Sequence, residues 1–505
     1  MLDGFLHDML SFLATLLVFG LGIVILYILF LYVADVRQTK STIRRNYPVI
    51  GRFRYFFEHL GTFFRQYFFA LDREELPFNR ALRSWIYRSA KGVSNNIAFG
   101  STRNMSTPGE PHFLNAAYPP LEDEIEPTPE LTFGENSCKT PYKTRSFFNI
   151  SGMSYGSISG PAVTALSRGA AQAGCWLNTG EGGLSPYHLA ADADIVFQIG
   201  TAKYGVRDKD GVLCDERLKH LAQMPRVRMF EIKLSQGAKP GKGGILPASK
   251  VNTEIAAIRG ISEGETSISP NRHVDIQSNT DLLEKINHIR DVTGKPVGFK
   301  FVMGDPTWIS TLCQSILKEG PERAPDFITL DSADGGTGAA PQPLMDYMGL
   351  PIKESLTMLI DTLAQFGLRE RVRVICSGKM ITPAFAAQSL AIGADVVVSA
   401  RGFMFALGCI QALQCHQNTC PTGITTHEKH LQRGLDPTNK GQRVANYHKQ
   451  MTHDVEMIAH SCGLKHARAL NRSHLKWVNG NGRACSYEDI HPTPVTIQDN
   501  SGAAA

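Results

Sequence analysis

Val372-Arg-Val-Ile-Cys-Ser-Gly-Lys-Met-Ile-Thr-Pro-Ala-Phe-Ala-Ala-Gln-Ser-Leu-Ala-Ile-Gly-Ala-Asp-Val-Val-Val-Ser-Ala-Arg-Gly402 contains two β-branched runs with a helix-length segment between them. Val372–Ser377 and Asp395–Ser399 read as short strands by their composition. Each run gives way to glycine and a cation, Ser377-Gly-Lys379 and Ser399-Ala-Arg-Gly402. Working back toward the N-terminus, similar runs recur at Phe147–Ser151, Trp176–Thr179, Ile195–Ile199, Met229–Lys233, Val297–Val302 and Phe327–Asp331. Eight runs, mostly separated by helix-length segments, predict an α/β fold, a (β/α)8 TIM barrel. A doubly wound open sheet is the alternative. Against it, no Gly-x-Gly-x-x-Gly lies between a strand and a helix, and several runs end in polar or glycine-rich sequence, as a barrel's catalytic face does.

With 505 residues, the chain is long enough for one large domain with additions or for two or three small ones. A net charge of +5 is mild and gives no reason to expect a nucleic-acid partner. Ten cysteines are too few for a disulfide framework at this length, which points to a reducing compartment. Met9 to Ala34 is uncharged across 26 positions, enough for a helix to cross a bilayer. Only Asp3 and Asp8 precede it, whereas Arg37, Lys40, Arg44, Arg45, Arg52 and Arg54 follow. The positive-inside rule then predicts a single-pass membrane protein with a cytoplasmic catalytic domain. A cleaved signal peptide fits less well, because there is no basic n-region and the apolar stretch is too long.

The expected organisation is a transmembrane anchor over 1–36, then an N-terminal helical and extended collar over 37–145. The collar begins with aromatic and basic residues at 50–72, suited either to the headgroup region or to packing on the catalytic domain. Its prolines from Pro108 to Pro141 predict an extended segment crossing a surface. The barrel is expected over 146–485, including a cysteine loop at 409–421, and a loose tail over 486–505.

Several loops carry residues suited to chemistry. After the first strand, Ser151-Gly-Met-Ser-Tyr-Gly-Ser-Ile-Ser-Gly160 lets main chain approach a flat ring, with Met153 and Ser154 at its edge. After the second, Asn178-Thr-Gly-Glu-Gly-Gly183 presents one carboxylate, Glu181, among glycines. After the fourth, Lys233 lies near the barrel top, followed by Gln236 and Lys239, with Arg259 further on. Lys233 suits the anionic end of a reduced ring, and Lys239 and Arg259 suit substrate carboxylates. After the sixth, Asp334 and Gly335 sit in a compact turn expected to pack on cofactor. Gly378, Lys379, Arg401 and Gly402 follow strands seven and eight, the usual phosphate site of a barrel. One phosphate with a large ring is a description that FMN satisfies.

Beyond the eighth strand, Cys409, Cys415 and Cys420 form C-x5-C-x4-C-P. Thiolates so spaced on a loop suit an iron–sulfur cluster lacking one corner better than a closed four-ligand zinc site. Three buried or free thiols are the plainer alternative.

Taken in order, Met-Ser-Tyr-Gly-Ser, Asn-Thr-Gly-Glu-Gly-Gly, Gln-Gly-Ala-Lys-Pro-Gly-Lys-Gly-Gly, Asp-Gly-Gly-Thr-Gly-Ala and Cys-His-Gln-Asn-Thr-Cys-Pro-Thr-Gly resemble the FMN-binding synthase domain of glutamate synthase. The likeness spans roughly residues 147–435. It implies FMN, a [3Fe-4S] cluster on Cys409, Cys415 and Cys420, and reduction of 2-iminoglutarate, from 2-oxoglutarate and ammonia, to L-glutamate. It places Lys233 and Gln236 at the flavin, Lys239 and Arg259 on the substrate carboxylates, and Glu181 on a substrate-responsive loop. A ferredoxin or reductase subunit is the expected electron donor. No glutaminase domain with an N-terminal cysteine is expected, since the first cysteine is Cys138, so ammonia is free or comes from a separate glutaminase. Nor is the family's C-terminal β-helix domain or a pyridine-nucleotide fingerprint expected. Two departures touch the substrate region: Ile245 replaces the family's glutamine between Gly-Gly and Leu-Pro, and its His-His-Asp-Ile run reads Asn271-Arg-His-Val-Asp-Ile276. Ile245 motivates an alternative with the same cofactors but another amine or keto acid, as in N-methylglutamate synthesis; a membrane electron-transfer module with a vestigial substrate site is a further alternative.

Overall fold

The computed structural model describes residues 2–495, which divide into two units, one ending at Ala81 and one beginning at Leu82. In the first, one helix runs Leu2–Arg37, and Gly4–Arg37 is long and apolar enough to cross a membrane. Its most apolar stretch is not buried by protein, unlike a core helix. Asp35, near its end, is fully buried. It accepts hydrogen bonds from Arg44 Nη2 at 2.6 Å, Arg52 Nη2 at 2.8 Å and the Val49 amide at 3.1 Å. Three segments are thereby pinned to one carboxylate. Arg52 belongs to a helix, Gly51–Phe64, which runs into a π-helical turn, Arg65–Phe69.

The second unit is built on a closed parallel barrel. Its strands, in order, are Phe148–Ile150, Leu177–Asn178, Ile195–Ile199, Val227–Lys233, Val297–Val302, Phe327–Asp331, Arg373–Ser377 and Val396–Ser399. The eighth closes on the first through Val397 opposite Phe148 and Ser399 opposite Ile150. All eight expected strands occur, each displaced by at most two residues at an end. Val396–Ser399 is buried throughout, as expected where a strand is covered on both faces. Ser159 caps Gly160–Ala173, and Ser278 with Asp281 forms a capping box on Asn279–Thr293.

Two terminal segments depart from expectation. The proline-rich stretch does not simply run extended across a surface. Leu131–Phe133 and Tyr142–Thr144 pair as a hairpin, and Phe133 packs edge-on against Trp176 and Phe327 at the strand starts. This apolar plug closes the barrel's lower mouth, so burial outweighs the local preference for extension. At the other end, Leu475–Val478 pairs with Pro111–Phe113 and with Ala484–Ser486. The short helix Tyr487–Ile490 follows, with Tyr487 buried and bonded to Thr357. The expected tail from 486 therefore starts as packed structure; its residues 496–505 lie outside the described residues.

Candidate functional site

The strands' C-terminal ends surround a cleft of about 1300 Å³, counted to its open mouth. Below it the barrel interior is polar. Glu231 accepts from Asn178 Nδ2 at 2.9 Å, Gln198 Nε2 at 2.7 Å and Thr329 Oγ1 at 2.5 Å. Beside it, Lys300 Nζ pairs with Asp331 at 3.1 Å. Burial opposes the Lys300 charge, but Asp331 and Glu231 hold its pKa above the ordinary lysine value. Lys300 also lines the cleft. Its position on a buried strand gave no sign of this, because a lysine within such a run reads as an irregularity.

The long segment after the fourth strand forms one wall. Lys233 Nζ lies 3.0 Å from Glu181 Oε1 and donates to Gln236 Oε1, while Gln236 Nε2 donates to Thr337 Oγ1 at 3.1 Å. Gly237 makes this fold possible: a Cβ there would meet the Ser332 carbonyl oxygen at 2.2 Å. Gly244 makes room for the carboxylate, since its Cβ would stand 2.6 Å from Glu181 Oε1. Burial works against the Glu181 charge, yet Lys233, Lys239 and Arg259 together keep its pKa below the usual carboxylate range. Burial and the like charge of Lys233 lower Lys239 in turn.

Arg259 is buried, with Nη1 donating to Ser267 Oγ at 3.0 Å and its guanidinium 5.1 Å from the Tyr204 ring centroid. Among the described residues its Nε is buried without a hydrogen-bond partner. A positioned cation in the cleft lining, which also includes Lys239, suits an anionic ligand.

The opposite wall comes from the loops after strands one, six, seven and eight. Met153, Ser154, Gly336, Gly378, Lys379 and Arg401 line it. Lys379 has left-handed backbone (φ 52°) and its ammonium is 2.7 Å from Asp334. Asp334, Gly335 and Gly402 do not border the cleft. Asp334 holds Lys379 from behind, and Gly335 lies against the Ser332 carbonyl and Gly237. The Gly402 amide is taken by Ser399 Oγ at 3.2 Å. These three support the cradle rather than form its surface.

The cysteine loop wraps the cleft's edge. Cys415 borders it, with Arg401 Nη1 3.8 Å from its sulfur. The Gln411 amide donates to Cys409 Sγ at 3.5 Å, and Cys420 Sγ lies 3.4 Å from Thr422 Oγ1. Burial raises Cys409 to about 11, whereas for Cys420 hydrogen bonds from Thr422 and Thr425 outweigh burial and lower the thiol. Gln411, Leu413 and Asn418 all have positive φ, folding the loop tightly. The Gln411 amide on Cys409 is a contact of the kind found at iron–sulfur sites. Among the described residues no three Cys, His, Asp or Glu side chains already stand as a metal-binding group. Donor chemistry and loop shape fit a thiolate-held cluster; the sulfurs themselves are not gathered.

Lys250, unremarked in the sequence, ties this loop to the cleft. Its side chain is buried and Nζ donates to Cys415 O at 2.7 Å and Ser157 O at 3.3 Å. Burial lowers it to about 8, against the attraction of Cys415 and Cys420. His416 also lines the cleft.

A closed barrel with a polar cup, a wall of cations and a thiol-bearing rim defines an enzyme-like α/β class. Residues 110–465 match the model for the conserved region in glutamate synthase. The chain is 37% identical to the glutamate synthase large subunit-like protein YerD of Bacillus subtilis, covering 94% of this chain and 98% of that protein. It is 33% identical to an archaeal glutamate synthase [NADPH] of Methanocaldococcus jannaschii, over 72% of this chain and 70% of that one. A glutamate synthase large subunit-like protein of Rhizobium meliloti is 30% identical, over 76% and 87% respectively. The chain belongs to the glutamate synthase family.

Proposed function

We propose that this protein is an oxidoreductase using FMN and a [3Fe-4S] cluster to reduce 2-iminoglutarate, formed from 2-oxoglutarate and ammonia, to L-glutamate. The observation that carries the reading is Arg259, buried in the cleft lining with an unpartnered Nε, in a lining that also includes Lys239. Two cations so placed give a dicarboxylate two anchors. When bound, FMN would supply the hydride for the imine carbon, with the proton for the nitrogen coming from solvent, and the cluster would supply the electrons that replenish the flavin.

The remaining tasks fall to the chain. Gly378, Lys379 and Arg401 hold the cofactor's phosphate, with Asp334 fixing Lys379. Lys233 and Gln236 bind the polar ring edge, joined by Lys300 from the barrel floor. Glu181, paired with Lys233, exchanges that partner when a substrate carboxylate arrives; Gly180 and Gly183, both at positive φ, are the hinges of its loop. Cys409, Cys415 and Cys420 hold the cluster. The two electrons per imine come from a ferredoxin or reductase partner, and ammonia arrives free or from a separate glutaminase. The first helix anchors the chain in a membrane with the barrel on the cytoplasmic side.

Ile245 favours a second reading. It lines the cleft and is 43% exposed, an apolar surface at the ligand's edge. Such a surface suits an N-methyl group, so methylamine is the rival nitrogen source. With reduced viologen as donor, product formation from 2-oxoglutarate is compared between ammonium and methylamine. The proposal expects faster turnover with ammonium; a clear preference for methylamine transfers the assignment to N-methylglutamate, and turnover with neither leaves only an electron-transfer role.

A further inference from the structure

We infer that the helix Gly51–Phe64 lies in the membrane interface, its aromatic face in the boundary between headgroups and acyl chains. The inference rests on reading the first helix as membrane-spanning. At 100° per residue, Phe53, Phe56, Phe57, Leu60 and Phe64 follow the i, i+3, i+4, i+7, i+11 spacing of a single stripe. Arg54, Glu58, Thr62 and Arg65 occupy the opposite side, together with Tyr55. A helix with this division ordinarily turns its stripe toward a core. Here Phe53, Phe56, Phe57 and Phe64 are 58%, 57%, 61% and 40% exposed. The π-helical turn Arg65–Phe69 continues the surface with exposed Tyr67, Phe68 and Phe69. A contiguous apolar face of this size needs cover.

The occupant is argued from position and composition. Thirteen residues lie between Arg37, the last of the apolar helix, and Gly51; Asp35 pins this segment through Arg44 and Val49, and the aromatic helix itself through Arg52. The aromatic helix is therefore tethered where the span leaves the bilayer. Phenylalanine and tyrosine partition to that boundary, and Arg54 and Arg65 on the far side meet anionic headgroups. No separate recognition event is required, since the covered face and its lipid share one anchor.

The test uses the full-length protein in vesicles of phosphatidylethanolamine and phosphatidylglycerol. Photoreactive p-benzoylphenylalanine replaces Phe57, Phe64, Glu58 or Tyr27 in separate preparations, and lipid adducts are quantified after illumination. Adducts at positions 57 and 64, several-fold above those at 58, support the inference, with position 27 reporting the span. Adducts at 27 but none above the level of 58 at 57 and 64 overturn it while leaving the span intact. Protein-to-protein cross-links at 57 and 64 overturn it in favour of a partner subunit. Absence of adducts at 27 removes the membrane-spanning reading itself, and this inference with it.

Discussion

In the proposed reaction, Arg259 is the residue on which substrate recognition turns. Charge-assisted hydrogen bonds contribute about 1.5–3 kcal/mol each. Arg259→Lys keeps the charge but loses the fixed fork. It is expected to lower kcat/KM for 2-oxoglutarate roughly 10- to 100-fold, mainly through KM, with bound flavin unchanged by absorbance. Cys415 is the second pivotal residue, being the thiol that borders the cleft. Cys415→Ala is expected to abolish bound iron while leaving much of the flavin; iron analysis returning the wild-type value contradicts the ligand assignment. Residues of this kind divide sharply in legibility. Glu181 and Lys239 stood out because glycines isolate them, and the cysteines because of their spacing. Lys250 and Lys300 did not, since what distinguishes them is burial against partners distant in sequence.

Among the elements, the barrel strands were legible because parallel strands covered on both faces read as short, nearly continuous apolar runs. The Leu131–Phe133 hairpin was not, because three residues among prolines carry no periodicity and their value lies in the aromatic contacts they make below the barrel. Loop geometry yields a paired prediction. A Cβ at Gly237 meets main chain, the Ser332 carbonyl, which cannot give way cheaply. Gly237→Ala is expected to destabilise the protein by about 1–3 kcal/mol and to disrupt the cleft wall, as read by thermal unfolding. At Gly244 the obstacle is the mobile end of Glu181. Gly244→Ala should keep the melting temperature within a few degrees while lowering turnover, because only the carboxylate is displaced. Equal thermal effects from the two substitutions contradict this account of the loop.

At the scale of the whole molecule, three histidines buried in the barrel unit make stability pH-dependent. Burial lowers His188, His273 and His448 to about 4, so each is neutral in the fold near neutral pH. Below the ordinary value of 6.5 the unfolded chain binds protons that the folded chain refuses. Stability therefore falls as pH drops from 6.5 toward 4, by up to about 1.4 kcal/mol per pH unit per histidine. Glu181 adds nothing in the upper part of that window. Its folded pKa is depressed, so its contribution is full above 4.5 and is lost only as pH falls further. Melting temperatures measured from pH 7 to 4.5 should decline throughout; a flat profile contradicts the buried neutral state.

The family and barrel were legible together because loop motifs and strand runs occur in one order along the chain. The catalytic assignment unites cradle, cation wall and thiol rim in a single cleft, and single-turnover reoxidation tests it most directly. The protein is reduced anaerobically, and flavin absorbance is followed after adding 2-oxoglutarate with ammonium, then glutamate is quantified. The account predicts reoxidation dependent on both compounds and about one glutamate per two electrons withdrawn. Flavin that stays reduced with both present, in a preparation that contains its flavin and iron, would contradict it.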